Sequence, residues 1–208
     1  YLISFVLFLF VAIGIYKFRD GFLYYLGFKT DKNVETLSKE ERKLADIRIY
    51  EVLHKHDDKA IGFDVSEYQS EIDWEQTYHI DESFELSFVF IRATAGKNKV
   101  DSRFKENWKA SKERELIRGA YHYYRPNENS IEQAENFIKT VKLQKGDLPP
   151  VLDIEKLPKS QSIDSLKVGL RRWLKKVEKH YKVKPIIYSG ESYYTDFLKE
   201  EFSDYPLW

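Results

Sequence analysis

From residue 60 onward the chain repeats one unit, a short apolar segment followed by a longer amphipathic one. The segments Ile61–Val65, Phe88–Ala93, Gly119–Tyr124, Pro150–Ile154, Pro185–Ser189 and the start of one at Pro206–Trp208 have the length and residue types of strands. Between them, Ser102–Arg114, Ser130–Val141, Ser165–Tyr181 and Ser192–Leu198 carry helical spacing. Alternation of this kind predicts a parallel sheet with helices outside it, because a parallel connection is long enough to hold a helix. A barrel and a doubly wound sheet both satisfy it.

The ends of the strands favour the barrel. They finish in Asp64 and Ser66, Arg92 and Thr94, His122 and Tyr124, Asp153 and Glu155, and Tyr188. In parallel α/β folds the working residues gather at the carboxyl ends of the strands. The segment after the first strand, Gly62-Phe-Asp-Val-Ser-Glu-Tyr68, has neither dinucleotide nor P-loop spacing, which removes the commonest doubly wound functions. The fold class predicted is therefore α/β, an irregular TIM-like (β/α) barrel.

Within that rim, Leu148-Pro-Pro-Val-Leu-Asp153-Ile-Glu155 carries the most chemistry. Residues two apart in a strand point to one face, so Val151, Asp153 and Glu155 share a side, with the two acids roughly 6–7 Å apart at the backbone. Glycoside cleavage needs a protonated carboxyl for the leaving oxygen and a group to manage charge at the anomeric carbon. Aromatic faces pack on sugar rings while their polar tips reach hydroxyls. With 15 Tyr and 14 Phe, the chain supplies both kinds of group.

Other classes are disfavoured. Lys plus Arg and Asp plus Glu balance at 34 each, and no basic stripe marks a nucleic-acid partner. There is no cysteine, so thiolate chemistry and Cys-based zinc are excluded. His54 and His56 lie beside acids in a stretch that reads as solvated linker, and neither metal nor cofactor is expected.

The first 60 residues are of another kind. Tyr1–Tyr16 is uncharged and almost wholly apolar, closed by Lys17 and Arg19. With a few residues upstream it would reach the length of a membrane span, and no small-residue cleavage site follows it. Residues 1–19 are expected to form a single-pass anchor in the lipid bilayer. Residues 20–59 are expected to form a juxtamembrane linker with a helical stalk, since Ser38-Lys-Glu-Glu41 has capping-box spacing.

The motifs GFDVSEYQSEIDW, FVFIRATAG, GAYHYYRP, QAENFI, DLPPVLDIE, KPIIYSGESYY and YPLW, in that order, resemble glycoside hydrolase family 25, the lysozymes of N-acetylmuramidase type. The resemblance covers about residue 60 to 208. It implies hydrolysis of the β-1,4 bond between N-acetylmuramic acid and N-acetylglucosamine in peptidoglycan. It implies Glu155 as general acid, Asp153 as assistant to the substrate's acetamido group, and Asp64 as a third acid. Arg92, His122, Tyr124 and Tyr188 become substrate contacts, while Tyr121 and Tyr123 are assigned to packing. As a proton donor Glu155 needs a raised pKa, which neighbouring carboxylates would supply. The implied setting is the bacterial cell envelope outside the cytoplasm, with glycan strands as partner and the protein a monomer.

Two features depart from the family pattern. Ala95 stands where the family commonly has an acid, and the strands counted to Trp208 fall about two short of eight. They leave an alternative, a non-catalytic peptidoglycan-binding envelope protein on the same barrel.

Overall fold

A computed structural model describes residues 38–76, 79–80 and 84–208. The expected membrane span and the first part of the linker, residues 20–37, lie outside these residues. Among the described residues no helix is long and apolar enough to cross a membrane. The chain divides into two compact units between Asp57 and Asp58.

In the first unit, helix α1 spans Lys39–Lys55. Ser38 caps it as the sequence predicts: its hydroxyl accepts from the Glu41 N–H, and the Glu41 carboxylate accepts from the Ser38 N–H at 2.9 Å. Glu40 and Glu41 in the first turn and His54 and Lys55 in the last complement the helix dipole.

The second unit contains strands β1 (Ile61–Val65), β2 (His79–Ile80), β3 (Phe84–Ala95), β4 (Lys99–Val100), β5 (Ile117–Tyr123), β6 (Val151–Asp153) and β7 (Ile186–Tyr188). Its helices are α2 (Phe104–Glu113), α3 (Ser130–Thr140), α4 (Ile163–Tyr181), α5 (Glu191–Tyr193) and α6 (Lys199–Phe202), with a π turn at Tyr194–Leu198 between the last two. Strands β1, β3, β5, β6 and β7 pair side by side, all parallel. The twelve-residue β3 overhangs five-residue β1, and the short β2 and β4 pair antiparallel with its two ends.

This corrects the expected closed barrel. The sheet is an open, curled half-barrel, with β1 and β7 as the ends of the parallel path rather than partners of each other. Closure of a TIM-type barrel takes eight strands, and the described chain supplies five to the path. The segment expected to begin a sixth contributes a single parallel bridge, Ile187 to Leu207.

Helices cover one face of the sheet. Val65, Val89, Ile91, Ala120, Leu152 and Ile187 meet helical residues there in one continuous core. Helix α4 sets Leu166, Leu170, Trp173, Leu174 and Val177 into that core at helical spacing, each apolar side chain contributing roughly 1.5–3 kcal/mol by leaving water. The other face carries a small cluster, Phe90, Tyr121 and Val151, with Phe88, Ile186 and Tyr188 packed on it. Two glycines make its floor: a Cβ at Gly62 would lie 2.4 Å from the Phe88 ring, and one at Gly119 2.3 Å from that of Phe90. Only a bare backbone lets those rings lie across the neighbouring strand.

Candidate active site

Asp153 ends β6 on the open face. It is in register with Tyr123 of β5 and Tyr188 of β7, so a tyrosine stands on each side of it. It is 7% exposed, and its Oδ1 accepts no hydrogen bond from the protein. Burial raises its pKa well above the ordinary value, and the charges of Glu155 and Asp64 add to the effect. Arg92 opposes them and loses. Its guanidinium is already engaged, with Nε 2.7 Å from Asp101 Oδ2 and Nη2 3.0 Å from Glu67 Oε1.

Glu155 lies two residues past β6 and is half-buried. The ladder extends toward it, with the Ile154 N–H donating to the Tyr188 carbonyl at 3.0 Å and the Ser189 hydroxyl donating to the Ile154 carbonyl at 2.8 Å. Asp64, near the end of β1, is open to solvent, yet the surrounding protein still raises its pKa by desolvation.

The remaining expected residues divide. Tyr188 stays on the open face, its ring 4.8 Å from that of Trp208. Arg92 is only 5% exposed, its Nε bonded to Asp101 and its Nη2 ion-paired with Glu67 but making no hydrogen bond among the described residues. His122 and Tyr124 lie on the helix-covered face, away from the acids. The His122 ring has no exposed surface; it stacks 5.5 Å from Trp173 and is bonded to Thr94 Oγ1 at 2.7 Å and Gln133 Oε1 at 3.1 Å. Burial lowers its pKa to about 4. Tyr124 is 1% exposed within the helix-side core, its hydroxyl bonded with Ser130 and its pKa pushed up to about 12 by burial. The alternation of β5 turns both to the helix-covered face, away from the acids at the strand ends.

The same alternation brings in two residues assigned from sequence to packing. Tyr121 and Tyr123 share the face of Asp153. The Tyr121 hydroxyl is bonded with Ser66 and feels the charges of Asp64, Arg92 and Asp153. Tyr123 feels Asp153 and Glu155. Burial is the main cause that raises both phenols, so they remain neutral hydrogen-bonding groups at any working pH. The signal was present in the i, i+2 spacing of Tyr121 and Tyr123, but only the register with β6 tells which parity faces the acids. Ala95, the departure from the family pattern, lies in register with Tyr123 and with Lys99.

Three acids and three tyrosines thus meet at the carboxyl ends of β1, β5, β6 and β7. Among the described residues no group of three His, Asp or Glu converges as metal ligands would. The chemistry open to the cluster is proton transfer and hydrogen bonding to a polar ligand lying across the open face.

The family model for glycosyl hydrolases family 25 matches residues 63–208. The uncharacterized protein YegX of Escherichia coli (strain K12) is 44% identical over 148 residues, covering 71% of this chain and 54% of YegX. Lysozyme M1 of Streptomyces globisporus is 34% identical over 142 residues, covering 64% of this chain and 47% of that protein. The chain spans about half the length of the curated relatives it matches. The solved structure of a family 25 glycosyl hydrolase from Bacillus anthracis superposes with a TM-score of 0.65 at 31% identity, covering 72% of this chain and 69% of that one. The match covers most of the chain, and the chain belongs to glycosyl hydrolases family 25.

Proposed function

We propose that this protein is a lysozyme-type hydrolase that cleaves the β-1,4 bond between N-acetylmuramic acid and N-acetylglucosamine in the peptidoglycan of the cell envelope. The observation that carries the reading is Asp153, a buried carboxyl with an unpartnered Oδ1, held beside Glu155 and Asp64. An acetamido N–H of the substrate would fill that vacant acceptor. Relatives named Lysozyme M1 and autolytic lysozyme support the substrate class.

In the mechanism, Glu155 gives its proton to the glycosidic oxygen as the bond to the anomeric carbon breaks. Asp153 holds the acetamido N–H and so directs the acetamido oxygen toward the anomeric carbon as it becomes electron-deficient. Water then adds at that carbon, and its proton returns to the Glu155 carboxylate. Asp64 adds negative charge that favours the developing positive charge and keeps Asp153 from ionising early. Tyr123 and Tyr188, on either side of Asp153, offer hydroxyls and ring faces to the sugar.

The test is Glu155→Gln in the full chain, measured by release of reducing ends from purified peptidoglycan. Loss of release with retained sedimentation on the polymer is expected. Unchanged release overturns the assignment of Glu155, and binding without release by the wild-type protein favours a glycan-binding role.

A further inference from the structure

Tyr68 is the most exposed large apolar side chain of the described residues, at 77%, and it sits on a loop pinned by several hydrogen bonds. Ser66 and Gln69 close a capping box around the turn Glu67–Gln69, and the Tyr68 N–H donates to the Ser66 hydroxyl at 3.3 Å. The preceding residue is fixed at both ends. The Glu67 N–H donates to Asp101 Oδ2 at 3.0 Å, and its carboxylate accepts from the Ser102 hydroxyl at 2.9 Å and from Lys99, besides lying 3.0 Å from Arg92 Nη2. These contacts hold the Glu67 carboxyl down to about 2, with Lys99 the largest cause. Beneath the Tyr68 ring lies the buried Arg92 guanidinium, 4.4 Å from the ring centre.

An aromatic ring stacked on a guanidinium gains roughly 0.5–2 kcal/mol, but that needs only one face. The other face is left in water on a backbone that has given up its freedom. Such a ring is pre-organised for a flat apolar ligand, since little entropy remains to be lost when one binds. Its position supplies the ligand. Tyr68 lies within electrostatic reach of Tyr123, which flanks Asp153, and its loop begins at Ser66, which is bonded to Tyr121. The ring therefore borders the cleft beside β1.

We propose that Tyr68 is a stacking platform for a sugar ring of the glycan strand, and that Glu67 and Asp101 act through Arg92 as positioning residues that keep the platform in place. The proposal rests on the glycan-hydrolase reading and adds a binding position beside β1 to it. The axial C–H groups of a pyranose fit the free ring face.

The experiment measures binding apart from cleavage. In a Glu155→Gln background, sedimentation on purified peptidoglycan is compared for Tyr68, Tyr68→Ala and Tyr68→Trp, with thermal unfolding followed in parallel. Affinity for the polymer is expected to fall about tenfold in Tyr68→Ala and to be retained in Tyr68→Trp. Unchanged affinity in Tyr68→Ala, with or without a lower Tm, overturns the platform and leaves the ring as a cover for Arg92. In the otherwise wild-type chain the same substitution should raise KM about tenfold while kcat changes little. Failure of the hydrolase reading appears separately, as absence of reducing-end release by the wild-type chain.

Discussion

Replacing Asp153 by asparagine should make the protein more stable at neutral pH while removing a carboxyl from the candidate site. Asp153 and Glu155 are two residues apart along an extended run, so their backbones are about 6–7 Å apart. At an effective dielectric near 20, two unit charges at that separation repel by roughly 2.5 kcal/mol. Asp64 adds to this, and burial of Asp153 adds a desolvation cost in the same direction. The amide carries no charge and can donate to the neighbouring carboxylates, but it brings its own polar group into the same buried place, which costs on the order of 1 kcal/mol. The net gain expected at pH 7 is about 1–2 kcal/mol, or roughly 3–6 °C in Tm for a unit of this size. The sign with pH follows from the raised pKa. Between the ordinary aspartate value of 3.8 and the higher folded value, the folded state binds more protons than the unfolded one, so wild-type stability falls as pH rises through that interval. The advantage of Asp153→Asn should therefore be small near pH 3.5, grow as pH rises, and level off above the folded pKa. Urea unfolding of both proteins at a series of pH values, followed by tryptophan fluorescence, measures it. A variant no more stable than wild type at pH 7, or a gain that does not change with pH, would refute the argument that Asp153 is held against its own ionisation.

Two further outcomes follow from groups on either side of the sheet. Arg92→Met should cost about 3–5 kcal/mol in urea unfolding, because it strands the Asp101 carboxylate, whose side chain is 1% exposed; a loss below 1 kcal/mol would show that the backbone N–H groups of Glu67 and Arg103 alone suffice for Asp101. His122 has its pKa lowered from 6.5 to about 4 by burial. Wild-type stability should thus fall as pH drops from 6.5 toward 4, by on the order of 3 kcal/mol from this group. His122→Gln should remove that acid-side loss, and an unchanged acid limb in pH-dependent unfolding would contradict it.

The strand positions were legible because each apolar run ends in punctuation the chain cannot hide, such as Asp64-Val-Ser66 or the prolines at 149 and 150. Helix α4 was legible because Leu166, Leu170, Trp173 and Val177 repeat at helical spacing under a serine cap. What sequence reading could not fix was which side of β5 faces the acids. His122 and Tyr124 have the residue types of a sugar site, and Tyr121 and Tyr123 look as apt for packing. The choice between parities depends on Tyr123 standing opposite Asp153, a pairing made across thirty residues of chain. Barrel closure failed for a related reason: strand-end chemistry is the same in a half-barrel and a closed one, and only hydrogen-bond partners distinguish them. The role of Arg92 was hidden because Asp101 and Glu67, which occupy it, reach it from separate loops.

The two faces of β5 carry opposite electrostatic arrangements, and the contrast explains why the acids sit where they do. On the helix side, the polar atoms of His122 are met by Thr94 and Gln133, and the ring can stay neutral in a dry core. On the open side, the Arg92 guanidinium is paired with Asp101 and Glu67 rather than with the acids of the strand ends. A free Arg92 would lower the Asp153 pKa more than the engaged guanidinium does. Because Asp101 and Glu67 take up the guanidinium first, the repulsion among Asp64, Asp153 and Glu155 stays in place. Asp64 and Asp153 hold their protons to higher pH than water-exposed carboxyls would, and a ligand that brings an N–H to Asp153 or a positive charge to the open face relieves part of that repulsion. Under the proposed function that repulsion would be a source of differential binding, because it is relieved most when the ligand develops positive charge, as a glycosidic bond does in the act of breaking.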